Sequence, residues 1–134
     1  MPAAWRYIPM TAKQSPAEPR FIDEAEYSTR IVGDWQGTEG GSKETISFYA
    51  DGDFECHLRA SGFISMALAQ GGTGRIHGTW RMDGKSITLH ISGAQDERVL
   101  YRIATITIEI FRINELKVKS ATGVTSTFLR RQMY

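Results

Sequence analysis

Three histidines carry the most suggestive side-chain chemistry of the sequence, and each falls in a segment with the alternating pattern of a β-strand. They are His57, His77 and His90. Three imidazoles are the number of protein ligands that a zinc site needs. Each histidine has the parity opposite to the apolar residues of its own segment, so all three are expected on an outer face. A shared face does not bring three rings on different strands to one ion, and we predict no metal site.

The carboxylates that could act as acids or bases are Asp34, Glu44, Asp51, Glu55 and Glu109. Most of them lie in expected turns or on polar faces, where water solvates them. Glu109 interrupts an isoleucine-rich segment but has outward parity there. None of these positions brings a carboxylate together with a partner that general acid–base chemistry would need. We expect all five to be ordinary surface groups.

The one cysteine, Cys56, has inward parity and reads as a small core residue rather than a nucleophile. A lone cysteine forms no internal disulfide. The sequence contains no nucleophile elbow, no phosphate loop and no zinc-binding helix motif. We therefore predict no catalysis, no catalytic residue and no cofactor.

Length and composition indicate one ordinary soluble domain. The chain has 134 residues, of which 41% are hydrophobic and 23% charged. Sixteen basic residues face 15 acidic ones, for a net charge of +1, so nucleic acid is not an expected partner. No apolar run reaches the roughly 20 residues of a membrane span. No signal-peptide pattern opens the sequence, which predicts the cytoplasm as it stands, or the periplasm or secretion if a signal has been removed.

From residue 31 onward, apolar and polar residues alternate as in half-buried strands, with turn residues between them. Asp51-Gly52 and Asp83-Gly84 predict two-residue hairpin turns, the first of type I′. The predicted strands cover residues 31–37, 43–50, 53–60, 75–82, 86–92, 98–110, 116–120 and 124–131. Consecutive hairpins favour a meander, and closure removes exposed sheet edges. We predict an all-β protein with a single antiparallel up-and-down β-barrel of about eight strands.

The chain before the first strand is expected to be irregular. Residues 1–20 contain all four prolines and predict an N-terminal arm or linker, with the barrel domain covering residues 21–134. A short helical turn is expected within residues 21–30. Asp23 is its predicted N-cap, and Glu26 completes a capping-box pair.

Two later segments break the alternation. Residues 61–74 are apolar and bounded by glycines, which predicts either an extension of strand three or a mobile flap over an opening. Within residues 98–110 the inward parity slips between Ile103 and Ile106. Because a one-residue slip turns every side chain to the other face, we predict a β-bulge or a bend near Ala104.

Gly33-Asp34-Trp35 at the start of strand one resembles the Gly-x-Trp signature of lipocalins. In that fold the tryptophan closes the barrel floor, and an arginine of the last strand packs over its ring. Arg130 or Arg131 stands at the matching position, and a guanidinium over an indole gains cation–π attraction. The resemblance implies a barrel closed by Gly33, Trp35 and one of these arginines.

Further motifs extend the resemblance over residues 31–131. Asp51-Gly52-Asp53-Phe54, Gly78-Thr79-Trp80 and Asp83-Gly84-Lys85 follow one another as in compact bacterial lipocalin-like domains. The chain is shorter than secreted vertebrate lipocalins and shows neither their disulfide nor their C-terminal helix. A shorter barrel encloses less internal volume.

The resemblance implies a small hydrophobic molecule bound inside the barrel, because barrel mouths are common ligand sites. The residues expected to line the interior or the mouth are Phe48, Phe54, Leu58, Phe63, Met66, Trp80, Leu89, Tyr101 and Ile106. The alternative is a protein-interaction module or enzyme inhibitor with a filled barrel. Such a module would dock on a partner, or on a second copy as a homodimer, through the N-terminal arm or the 61–74 loop. Trp5 and Tyr7 would suit such an interface.

Overall fold

A closed barrel of eight antiparallel strands forms the body of the computed structural model, which describes residues 21–38, 43–68 and 71–131. The strands are β1 (Gly33–Gly37), β2 (Thr45–Phe48), β3 (Asp53–Leu58), β4 (Gly74–Asp83), β5 (Ser86–Ala94), β6 (Ile103–Arg112), β7 (Glu115–Ser120) and β8 (Thr125–Arg130). Each strand pairs with the next, and β1 pairs with β8. The predicted all-β up-and-down barrel is confirmed. The predicted arm, residues 1–20, lies outside the described residues.

The alternation of the sequence places apolar side chains inside the barrel. On β3, Phe54, Cys56 and Leu58 are buried while their neighbours face outward. On β2, Ile46 lies opposite Cys56 and Phe48 opposite Phe54. Because successive side chains of a strand point to opposite faces, the two strands present one apolar surface to the interior. Burial of such surface contributes about 25 cal/mol per Å².

The first Asp-Gly turn exists but is not of type I′, which needs positive φ at both central residues. Gly52 has a φ of +96°, whereas Asp51 is not among the residues with positive φ. The Gly52 N–H donates to the carbonyl of Tyr49 at 3.1 Å, and the Tyr49 N–H donates to that of Asp53 at 2.9 Å. The loop is therefore a four-residue turn that ends in a glycine bulge.

The second Asp-Gly turn is displaced by one residue from its predicted place. Asp83 and Ser86 still pair as strand residues, so the two loop residues are Gly84 and Lys85. Gly84 has a φ of +61°, a conformation that only glycine adopts without strain.

The predicted break near Ala104 is a bend at Tyr101, and no register shift interrupts the β5–β6 pairing at Ala104 itself. Strand β6 begins at Ile103, and Val99 belongs to a separate 3₁₀ turn, Glu97–Val99. Between them, Tyr101 has a φ of +65° and is 76% exposed. The change in which alternate residues face inward therefore marks the boundary between the 3₁₀ turn and β6.

The register shifts that do occur lie elsewhere. One follows Ile108 in the β6–β7 pair and returns Phe111 to the interior. Another follows His77 in the β4–β5 pair. There Gly78 approaches β5 so closely that a Cβ atom would collide with the carbonyl oxygen of His90.

A short helical segment precedes β1, as predicted. It consists of a 3₁₀ turn, Glu24–Glu26, and one turn of α-helix, α1 (Tyr27–Arg30). The predicted capping pair is wrong, because Asp23 makes no side-chain cap and only its carbonyl accepts from the Glu26 N–H. The Glu26 carboxylate instead pairs with Arg30 at 3.1 Å.

Residues 61–74 contain a second short helix, α2 (Phe63–Ala67), after β3 has ended. The strand-extension alternative is therefore wrong. The helix buries Phe63 and Ile64 at the barrel end opposite to α1. We call this end the mouth, and the end beside α1 the floor. The segment covers an end of the barrel, as the flap alternative requires. None of the helices formed by the described residues is long and apolar enough to cross a membrane.

Candidate functional site

The floor is closed by Trp35, which is completely buried. Its indole N–H donates to the carbonyl of Ile31 at 2.8 Å, and its ring meets the edge of Phe111 at a centroid distance of 5.9 Å. The guanidinium carbon of Arg130 lies 4.2 Å from the centroid of the Trp35 ring. The cation–π contact predicted from the sequence is confirmed, with Arg130 as the arginine that makes it.

Arg130 also ties three segments together at the floor. Its guanidinium donates to the carbonyls of Arg30 at 2.7 Å, Ile113 at 2.9 Å and Val32 at 3.1 Å. Gly33 has a φ of +138°, and a Cβ there would lie only 2.7 Å from a guanidinium nitrogen of Arg130. Burial, with the charge of Arg30 adding to it, lowers the pKa of Arg130. The side chain remains a cation, and it fixes where the chain enters the barrel.

Arg131, the other arginine considered for this role, is exposed. Its backbone N–H donates to the carbonyl of Asp34 at 2.8 Å, and its side chain reaches the outer face of the sheet.

The mouth is held by a buried carboxylate. Glu44 is 2% exposed, and one of its oxygens accepts from the Ile64 N–H at 2.7 Å. The other accepts from the Ser65 N–H at 3.0 Å and from the Arg59 N–H at 3.4 Å. Ile64 and Ser65 are in the first turn of α2, whose N–H groups have no partner within the helix. Glu44 therefore caps α2 from the start of the neighbouring strand.

The glycine before α2 makes room for this cap. A Cβ on Gly62 would overlap the carboxylate of Glu44. Burial raises the pKa of Glu44, and the hydrogen bonds from the three backbone N–H groups oppose that rise. The expectation that Glu44 is a solvated surface group is wrong. The sequence indicates this burial only indirectly. Gly62 has no side chain that could cap the helix after it, so the first N–H groups of that helix need a hydrogen-bond acceptor from another part of the chain.

Apolar residues of α2 and its end fill the mouth. Phe63 is 7% exposed and meets the edge of Phe128 at a centroid distance of 6.1 Å. Leu68, which follows the helix, is also buried. The Ser65 hydroxyl donates to the carbonyl of Gly72 at 2.7 Å and fastens the returning chain. Ile64, Ser65 and Leu68 were not among the residues predicted to form the site.

Most of the residues predicted to line the interior or mouth do point inward. The buried ones are Phe48, Phe54, Leu58, Phe63, Leu89 and Ile106. Trp80 is half-buried, packs edge-on against Phe48 and donates its indole N–H to the carbonyl of Tyr49 at 2.9 Å.

Met66 and Tyr101 do not line the interior. Met66 is 54% exposed because it lies on the outer side of α2. Tyr101 is exposed because it sits in the loop with positive φ before β6 rather than on a strand. The buried interior residues extend from Trp35 at the floor to Phe63 at the mouth, where α2 covers the end of the barrel.

The three histidines lie on β3, β4 and β5, and the cysteine is buried on β3. Across residues 21–38, 43–68 and 71–131, no three His, Cys, Asp or Glu side chains are grouped to hold a metal ion. His57 lies opposite Arg75, and His90 opposite Thr79. Burial raises the pKa of Cys56 well above its ordinary value, with Glu44 adding to the effect, so this thiol stays protonated.

Comparison with known proteins supports the fold. No family model matches the chain, and no curated protein matches it. A crystal structure of a lipocalin-like protein from Bacteroides uniformis is similar with a TM-score of 0.51 and 16% identity, over 76% of this chain and 99% of that one. An NMR structure of a protein from the same species has a TM-score of 0.52 and 16% identity, over 79% and 93%. The chain has a lipocalin-like fold.

Proposed function

We propose that this barrel binds one small apolar molecule at its mouth, in the space that the side chains of α2 fill in the described conformation. The observation that carries the proposal is how α2 is held. It closes the mouth through Phe63 and through the N–H groups that donate to Glu44, and not through strand pairing. Helix α2 can therefore move while the hydrogen bonds between the strands of the barrel stay intact.

The surface beneath α2 suits an apolar ligand. Phe128 is buried and packs against Phe63, so displacement of Phe63 would leave apolar surface of Phe128 without a partner. A ligand that covers the same surface replaces the lost contacts, at about 25 cal/mol per Å². Burial of the Glu44 charge is unfavourable, and the three backbone N–H groups that donate to it compensate for that cost in the closed arrangement.

The interior offers binding surface rather than reactive groups, and we propose no catalysis. The titratable groups buried beside α2 are Glu44 and Cys56. Both oxygens of Glu44 already accept hydrogen bonds from the backbone. The thiol of Cys56 is held in its protonated form, which is a poor nucleophile.

Titration with an apolar fluorophore and with fatty acids tests the proposal. We expect a dissociation constant below about 0.1 mM, near −5 to −6 kcal/mol. Phe63→Leu gives the ligand less apolar surface to displace, so it tightens binding by a factor of roughly three to ten, from about 0.8 kcal/mol per buried CH₂. Phe111→Leu, the same truncation at the floor, is the matched control and leaves the affinity unchanged. The proposal fails if no probe binds saturably, or if the two variants change binding equally.

The apolar side chains buried from Trp35 to Phe63 favour a second function, in which they fill the barrel and the protein docks on a partner. The test compares the full chain with one that lacks residues 1–20. Loss of a dimer or complex on deletion, with the far-ultraviolet spectrum unchanged and no apolar probe bound by either chain, would favour this function over ligand binding.

A further inference from the structure

A cleft of about 440 Å³ lies on the outer face of β2, β3 and β4, on the opposite side of the sheet from the interior. The strand register aligns Thr45, His57 and Arg75 across these three strands. Their side chains point outward because they alternate with the buried residues of each strand. A hydroxyl, an imidazole and a guanidinium, each able to donate hydrogen bonds, therefore stand side by side.

A second set of outward-facing side chains crosses the same three strands, two residues along each strand from the first set. It contains Ser47, Glu55 and His77. The Glu55 carboxylate accepts from the Tyr49 hydroxyl at 3.2 Å, and the Ser47 hydroxyl donates to Asp34 at 2.6 Å. Asp34 and Glu55 thus already have donors of their own, and neither is paired with the arginine of the first set.

A second guanidinium reaches the cleft from the end of β8. Arg131 lines it, and the backbone of Arg131 is fixed by its hydrogen bond to the carbonyl of Asp34. The ion pairs formed among the described residues include neither Arg75 nor Arg131. Two arginines therefore face one concave surface without a carboxylate bound to either of them in the described part of the chain.

The His57 imidazole lies in this cleft, and its pKa depends on the charges around it. Burial, together with the positive charges of Arg59 and Arg75, lowers the pKa of His57. The other charged or titratable groups that face it are Glu55 on its own strand and His77 on β4. An anion in the cleft would offset the arginines and favour the protonated imidazole, which then becomes a further charged donor.

We propose that this outer cleft binds a small molecule through a phosphate group, with Arg75 and Arg131 as the charged donors and Thr45 and His57 completing the set. The guanidinium fork matches the oxygens of phosphate and donates to two of them at once. A volume of about 440 Å³ exceeds that of one phosphate and leaves room for the rest of the molecule. The cleft is separate from the mouth, so this proposal does not depend on binding of an apolar ligand.

The histidine ring protons provide a direct test by NMR. Inorganic phosphate and pyrophosphate are titrated into the full chain at fixed pH and ionic strength, with chloride replaced by the added anion. We expect saturable shifts of the His57 and His77 signals, and a rise in the pKa of His57. His90 lies on β5 outside the cleft and serves as the internal control. Equal shifts of all three rings, or no saturable shift at millimolar anion, would overturn the proposal.

Two arginines of β4 provide the matched variants. Arg75→Gln removes one fork and weakens phosphate binding by roughly tenfold or more, as expected for charge-assisted hydrogen bonds. Arg81→Gln changes an exposed arginine of the same strand that does not line the cleft, and it leaves binding unchanged. Equal losses in the two variants would show general charge attraction and refute the site. Acetate in place of phosphate should not saturate, and the assignment to phosphate is wrong if it gives the same shifts.

Discussion

Glu44 makes the mouth sensitive to pH. Its folded pKa is raised above the ordinary value of 4.5, so the folded protein binds this proton more tightly than the unfolded chain does. The contribution of Glu44 to stability is therefore greatest below pH 4.5 and is lost as the pH rises through the folded pKa.

We expect this dependence to be visible in urea unfolding at several pH values. The free energy of unfolding of the wild type minus that of Glu44→Gln should fall as the pH rises above 4.5. At every pH the variant is less stable by about 1 to 3 kcal/mol, because the amide NH₂ would face a backbone N–H of α2. Glu55→Gln, at an exposed position of β3, is the matched control for the substitution itself. A rising difference for Glu44→Gln would contradict the burial argument.

Arg130 acts at the floor through shape as well as charge. Arg130→Lys keeps the charge but loses the planar fork over Trp35 and at least two of the three carbonyl contacts. We expect a loss of about 1 to 3 kcal/mol in the free energy of unfolding, followed by tryptophan fluorescence. Arg131→Lys should cost about 0.5 kcal/mol or less. Equal losses would show that the exposed arginine shares the role.

At the level of elements, α2 depends on the absence of a side chain at one position. Gly62 has an ordinary negative φ of −75°, which alanine adopts without strain. Gly62→Ala should nevertheless destabilise the protein, because the new Cβ meets Glu44. Overpacking of this kind costs about 1 to 3 kcal/mol.

A double-mutant cycle separates this contact from other effects. In the background of Glu44→Ala, the space beside residue 62 is empty, and Gly62→Ala should then be neutral or slightly stabilising. The measurements are urea unfolding and hydrogen exchange of the Ile64 and Ser65 N–H groups, which should exchange faster in Gly62→Ala alone. If the cost persists in the double variant, α2 is not positioned by the carboxylate.

The elements differ in how well the sequence predicts them, for a physical reason. The alternation of apolar and polar residues indicates which face of a strand each side chain occupies, so it predicts all eight strands. It does not indicate the residue at which the hydrogen bonding of each strand ends. The pair of Trp35 and Arg130 was predictable because it follows a motif. The burial of Glu44 was not, since its partner N–H on Ile64 is 20 residues away and joins it only in the folded chain. Tyr101 was misplaced because the slip in parity indicates a break in the strand but not which residue adopts the left-handed backbone conformation there.

For the whole molecule, closure of the barrel predicts a single cooperative transition. The seam between β1 and β8 contains the pairs Trp35–Arg130, Gln36–Leu129 and Gly37–Phe128. Because no edge strand remains to fray, unfolding followed by fluorescence and by far-ultraviolet circular dichroism should give the same midpoint. Midpoints that differ would show that the floor and the mouth melt separately.

Gln36→Pro, which removes a donor from the seam, should weaken the fold and separate the two midpoints.

The seam also has a consequence for how the protein is made. The residue that secures the floor, Arg130, bonds to the carbonyl of Arg30, 100 positions earlier in the chain. During synthesis, β1 therefore lacks one of its two strand partners until the ribosome has translated β8, about 100 residues later in the chain. A nascent chain that stops before residue 125 would present two unpaired strand edges, which are templates for aggregation. Formation of such distant contacts is slow, so we expect folding to begin in the neighbouring hairpins and to finish at the seam.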